Sequence, residues 1–204
     1  MTQSGSPAGG PRDVARWAFR AALALNARMR HRRRRQRAEE ALASHRQPGS
    51  LLFVCTGNVC RSPYAERAFL RVLEPPGVAG MSVGSAGFLK AGRPSPQAAV
   101  RIAAERGIAL VEHRSRELDE ELVERSEIVI VMDAGHQRRL RRFVRNRETS
   151  IVLLGDLDPE LPSRLGILDP WGRDDDVYRK VFARIDRCVD RLAFLILPLP
   201  ASVE

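Results

Sequence analysis

Leu51-Leu52-Phe53-Val54-Cys55-Thr56-Gly57-Asn58-Val59-Cys60-Arg61-Ser62-Pro63 reads as a buried strand ending on a cysteine, a five-residue loop, and the start of a helix. Ser62 and Pro63 suit the N-cap and first helical positions, because a serine oxygen accepts from early helical N–H groups and proline has no N–H to leave unpaired there. A strand, loop and helix start of this kind gathers backbone N–H groups at the positive end of a helix dipole. That is a ready pocket for an oxyanion.

Outward from this stretch, apolar β-type runs alternate with helical patterns, the signature of a parallel α/β sheet. Strands are expected at 51–55, 81–85, 127–132 and 150–154, and helices at 63–73, 95–106, 117–125, 134–145 and 174–197. In the last helix Val177, Val181, Ile185, Cys188, Leu192 and Leu195 keep the three- and four-residue spacing of a stripe packed on a sheet. The expected fold is a three-layer α/β sandwich, a four-stranded parallel sheet flanked by helices, over residues 50–197. A short tail, 198–204, follows.

The chain has 204 residues and a net charge of +9. Residues 1–49 carry eleven arginines, no lysine and three carboxylates, a net +8, so the remainder is close to neutral. Residues 1–11 are small, polar and turn-rich, which suggests disorder. Residues 12–44 lack Gly and Pro and suit a helix by propensity. Trp17, Phe19, Leu23, Leu25 and Met29 form no clean apolar stripe on it, and Pro48-Gly49 breaks it at an expected domain boundary. No apolar run approaches the roughly 18 to 20 residues of a membrane-spanning helix. Three cysteines and four dispersed histidines match neither a secreted disulfide framework nor a common zinc spacing. The expectation is a reducing, cytoplasmic setting, with no metal and no cofactor.

A cysteine at the end of the first strand faces the same N–H groups and helix dipole, which stabilise negative charge on sulfur and make it a nucleophile. Arg61 can return across the pocket to hold two phosphate oxygens in bidentate fashion. The Ser62 hydroxyl is close enough in sequence to reach the sulfur, and Asn58 tolerates the left-handed backbone that would fix the loop. A buried cysteine before an ordinary helix start would account for Cys55 and Arg61 singly, but not for Gly57, Asn58, Arg61, Ser62 and Pro63 together.

Cys-Thr-Gly-Asn-Val-Cys-Arg-Ser-Pro resembles the signature loop of the low-molecular-weight protein tyrosine phosphatases, and Leu168-Asp169-Pro170-Trp171 resembles their second motif. The resemblance spans roughly residues 50–197. It implies Cys55 as nucleophile, Arg61 as phosphate clamp, Ser62 as support for the sulfur and Asp169 as general acid and then base. Thr56, Gly57, Asn58, Val59 and Cys60 would complete the phosphate-binding loop. Ser85 and His113 would brace it through Asn58, and Trp171 would form a wall for the substrate. Asp158-Pro159 is a second Asp-Pro pair, read as a turn. Cys60 matches a cysteine that in some members forms a reversible disulfide with the nucleophile; the alternative is a small core residue. Cys188 reads as core.

The implied activity is metal-free hydrolysis of phosphotyrosine in a protein substrate through a phosphocysteine intermediate. Thr56 stands where tyrosine phosphatases of the family usually carry a bulky aliphatic residue. It resembles the branch acting on phosphoarginine, which is the alternative. Arsenate reductases share the loop but relay electrons through further cysteines, and Cys188, within a helix, suits that poorly. A non-catalytic reading places function in the arginine-rich arm, as weak contact with an anionic membrane surface. Nucleic-acid binding is disfavoured by the near-neutral domain and its few aromatics.

Overall fold

The computed structural model describes residues 11–73, 80–142, 144, 149–161 and 165–198, with side chains of the first helix from Ala18 onward. Residues 1–10 and 199–204, on which the expected disorder and tail fall, lie outside the described residues, as does the Trp17 side chain.

Four strands, β1 (Ser50–Cys55), β2 (Ser82–Gly87), β3 (Ile128–Val131) and β4 (Ser150–Leu153), form one parallel sheet in the order β2-β1-β3-β4. The helices are α1 (Pro11–Ala43), α2 (Arg61–Leu73), α3 (Gln97–Ala104), α4 (Glu120–Glu124), α5 (Ala134–Leu140) and α6 (Asp175–Ile196). A 3₁₀ turn at Leu154–Leu157, absent from the sequence reading, continues from β4. Residues β1 and β3 send to one face, Leu51, Phe53, Ile128 and Ile130, pack with α2, α3 and α6; those they send to the other, Leu52, Val54, Val129 and Val131, pack with Val123 and Leu140 of α4 and α5. This period of two makes three layers from two central strands that are apolar on both faces. On α6 the expected stripe is buried from Val181 to Leu192, while Val177 and Leu195 are half-buried.

Several element ends differ from expectation. β2 runs to Gly87 rather than Ser85, because Gly87 can pass directly under the loop: a Cβ there would meet the Asn58 nitrogen at 2.7 Å. Helix α2 begins at Arg61, so Ser62 is not its N-cap; the Cys60 carbonyl instead accepts the Tyr64 N–H at 3.2 Å. Pro63 still falls in the first turn, where its missing N–H costs nothing. Helices α4 and α5 start later or end earlier than read, each capped by an aspartate, Asp119 and Asp133, that accepts an early N–H. Residues 143 and 145, within the end of the expected 134–145 helix, lie outside the described residues.

The second half of α1 packs on the domain. Ala38 and Leu42 are buried in the main core, Arg34 grips the Asp156 carboxylate through Nε and Nη2 at 2.9 and 3.1 Å, and Glu39 accepts from Arg191 at 2.7 Å. His31 is buried, with Nε2 3.1 Å from the Asp158 carbonyl oxygen. Phe19, Leu23, Leu25 and Met29, which come before these contacts, are exposed.

Candidate active site

The chain order puts β2 on one side of β1 and β3 on the other, so the connections after β1 and β3 diverge and leave a crevice at their carboxyl ends. Parallel α/β sheets bind their ligands in such crevices. Cys55 closes β1 at that point. Its Sγ accepts a hydrogen bond from the Asn58 N–H at 3.2 Å and from the Ser62 hydroxyl at 3.1 Å, both of which stabilise negative charge on sulfur.

Asn58 holds the loop in shape. Its φ is +49°, a left-handed conformation asparagine adopts more readily than most residues, and it is fully buried. Its amide donates to Ser62 Oγ at 2.9 Å and Ser85 Oγ at 2.8 Å, and its Oδ1 accepts the Arg116 N–H at 2.7 Å. The Ser85 hydroxyl in turn donates to Glu66 at 2.6 Å, and His113 Nε2 lies 2.8 Å from the Asn58 carbonyl oxygen. Ser85 and His113 thus both touch Asn58. Val59 and Cys60, within the loop, are buried, and the Gly57 carbonyl accepts from Arg93 Nη2 at 2.6 Å.

Arg61 is 3 % exposed and turns inward. Nη1 donates to the Ile167 carbonyl at 3.2 Å, and Nη2 pairs with the Asp169 carboxylate and lies 3.4 Å from Thr56 Oγ1. Its Nε is buried without a partner among the described residues, an N–H left for something else to satisfy. Asp169 also accepts the Trp171 N–H at 3.2 Å, and Trp171 stands largely exposed at the rim. Cys55, Thr56, Gly57, Val59, Cys60, Arg61, Asp169 and Trp171 line one pocket together with Leu89 and Arg93.

Asp158 opens the turn read from the sequence, its Oδ1 accepting the Glu160 N–H at 3.2 Å, and it does more besides. It is fully buried and receives Arg184 at 2.7 Å and Arg187 at 3.3 Å, anchoring α6 below the site. Cys60 is a free thiol 3.8 Å from the Tyr178 hydroxyl, and burial pushes its thiol up to about 12; burial does the same to Cys188. Among the described residues no cluster of His, Cys, Asp or Glu is arranged to hold a metal.

Four residues around the pocket went unread in the sequence: Leu89, Arg93, Asp133 and His136. The last two follow β3 into the same crevice. Asp133 caps α5, its Oδ1 accepting the His136 N–H at 2.9 Å, and its Oδ2 lies 3.3 Å from His136 Nε2 and 3.9 Å from Arg61 Nη1. His136 Nε2 is also 2.9 Å from Thr56 Oγ1. Burial holds the imidazole below its ordinary value. The rule that ligands gather beyond the ends of parallel strands was the available signal, since Asp133 comes two residues after β3.

This geometry agrees with the match of residues 50–201 to the family model for low molecular weight phosphotyrosine protein phosphatase. The chain belongs to that family. Among its relatives, the probable low molecular weight protein-tyrosine-phosphatase EpsP of Ralstonia solanacearum is 34% identical over 142 residues, covering 69% of this chain and 91% of EpsP. The protein-arginine-phosphatase of Bacillus subtilis is 34% identical over 146 residues, covering 70% of this chain and 93% of that protein. Two solved structures are similar to this phosphatase. The tyrosine phosphatase Wzb of Escherichia coli K30, in complex with sulphate, has a TM-score of 0.62 and 26% identity over 71% of this chain and 96% of Wzb. The YwlE arginine phosphatase of Geobacillus stearothermophilus has a TM-score of 0.61 and 30% identity over 71% of this chain and 90% of YwlE. The four-stranded parallel α/β fold is the one these enzymes share.

Proposed function

We propose that this phosphatase hydrolyses phosphotyrosine in a protein substrate through a phosphocysteine intermediate. The observation that carries the reading is the convergence, in one pocket, of a sulfur holding two hydrogen-bond donors, a buried arginine and a carboxyl group. Cys55 Sγ attacks phosphorus as the bond from phosphorus to the phenolic oxygen breaks, and Asp169 gives that oxygen its proton. The Asp169 carboxylate then takes a proton from water, whose oxygen attacks phosphorus and releases inorganic phosphate and the Cys55 thiolate. Arg61 and the loop N–H groups hold the non-bridging oxygens throughout, so the fold contributes chiefly positioning and charge stabilisation. An incoming phosphoryl group competes with Asp169 for Arg61 Nη2 and leaves the carboxyl to face the leaving atom. Ser62, Asn58, Ser85 and His113 act by holding the loop.

Cys55→Ser is expected to abolish turnover of a phosphotyrosine peptide. Asp169→Ala should lower kcat by roughly 10²- to 10⁴-fold while vanadate still inhibits. A Cys55→Ser enzyme that retains wild-type turnover would contradict the mechanism.

A second reading, phosphoarginine, is favoured by the hydroxyl of Thr56 on the pocket wall; the exposed indole of Trp171 favours a phenyl ring. Steady-state rates on both phosphopeptides, with Thr56→Ile beside wild type, separate them: Ile should raise the phosphotyrosine-to-phosphoarginine ratio. An unchanged ratio removes Thr56 from the selectivity.

The setting we infer is cytoplasmic. No helix among the described residues is long and apolar enough to cross a membrane. The exposed Phe19, Leu23, Leu25 and Met29, interleaved with arginines, favour weak contact of α1 with an anionic membrane surface over contact with nucleic acid.

A further inference from the structure

Thr56 follows β1 and His136 follows β3, and their side chains meet across the crevice at 2.9 Å. Resting on the phosphatase reading above, we propose that His136 is a positioning residue that sets the selectivity of the pocket between phosphoarginine and phosphotyrosine by fixing the hydroxyl of Thr56.

The hydrogen-bond partners assign the proton on the imidazole. Nδ1 is buried with no partner among the described residues, whereas Nε2 faces two oxygens, Thr56 Oγ1 at 2.9 Å and Asp133 Oδ2 at 3.3 Å. A proton on Nδ1 would bury an N–H without an acceptor and turn the Nε2 lone pair toward a carboxylate. A proton on Nε2 avoids both costs. Nε2–H therefore donates to Thr56 Oγ1, and the backbone N–H of His136 on Asp133 Oδ1, with the ring beside Phe88 at 5.4 Å, holds the donor in place. Threonine is branched at Cβ, so fixing its oxygen fixes the methyl group as well. The wall beside Arg61 is thus held polar.

With one lone pair of Oγ1 taken by His136, the other faces Arg61 Nη2 at 3.4 Å. Once that guanidinium holds phosphoryl oxygens, the second lone pair is free to accept an N–H. The leaving group of phosphoarginine is a guanidinium with several N–H donors, whereas the phenyl ring of phosphotyrosine has none. Losing His136 releases Thr56 to turn its methyl group to the pocket, which weakens the phosphoramidate and leaves the phenyl ester nearly indifferent.

The test is kcat/KM on one phosphoarginine and one phosphotyrosine peptide for the full chain as wild type, His136→Leu, His136→Gln, Thr56→Val and the Leu/Val double variant. His136→Leu should lower the phosphoarginine-to-phosphotyrosine ratio by about fivefold or more, and His136→Gln, which keeps a donor near the Nε2 position, should return it to within about twofold of wild type. In the Thr56→Val background His136→Leu should leave the ratio unchanged, because the two act as a unit. Should His136→Leu not fold, His136→Asn, polar but too short to reach Thr56, carries the same expectation. An active enzyme whose ratio ignores position 136, or responds equally with valine at 56, overturns the inference and leaves the phosphatase reading standing. A wild-type chain that turns over neither peptide sinks both.

Discussion

His136 also gives the site a pH signature. Burial is the main cause of its lowered value, Arg61 and Arg139 add to it, and Asp133 and Asp169 oppose them. The unfolded chain therefore takes up a proton near pH 6.5 that the folded chain refuses, so this group's stabilisation is present above that pH and is lost as pH falls below it. Urea midpoints should drop as pH falls below about 6.5, and His136→Gln should flatten part of that slope; equal slopes would show that another group titrates. That Cys55, Asn58, Arg61 and Ser62 come together was legible in the sequence because all four stand in one loop and its helix start. His136 was not, because a histidine 80 residues from its partner Thr56 carries no local pattern. Ser62 was misread as a cap for a related reason: its hydroxyl serves the sulfur seven residues back.

Among the elements, β1 and β3 were readable because a central strand is apolar at nearly every position. Helix α1 was readable as a helix but not as a packed one. Its docked stripe is His31, Arg34, Ala38 and Leu42, of which only the last two look like core. The large apolar residues that drew attention, Phe19 to Met29, all precede His31, where the contact begins, and stand exposed. Of the polar members, His31 is buried against the Asp158 carbonyl and Arg34 half-buried on the Asp156 carboxylate, and both partners are more than 100 residues away. The two halves should respond differently to truncation. Leu42→Ala empties a fully buried site and should cost about 3 kcal/mol of unfolding free energy, whereas Phe19→Ala should stay within about 0.5 kcal/mol. Urea denaturation of both variants measures this, and equal effects would mean that the helix does not dock as described.

Across the whole molecule, strand order does what no single segment reveals: by setting β1 between β2 and β3 it brings the loop after one strand against the cap of the helix after another. Charge is distributed just as unevenly. Residues 1–49 carry a net +8 while the rest of the chain is close to neutral, so any electrostatic pull on a surface acts through the arginine-rich arm, from the exposed faces of α1 that turn away from the domain. An arginine near an anionic bilayer contributes about 1 kcal/mol, and exposed Phe19 and Leu23 add apolar contact. Replacing the exposed Arg28, Arg30, Arg32 and Arg33 with glutamine leaves the buried stripe intact, which deleting residues 1–49 would not. The full chain should co-sediment with phosphatidylserine vesicles at low salt and not with phosphatidylcholine alone, and the fourfold variant should lose roughly tenfold or more of that binding. Turnover of a soluble phosphopeptide should be the same for both, since none of the four arginines lines the pocket. Equal partitioning of wild type and variant would leave the arm without a role at the membrane.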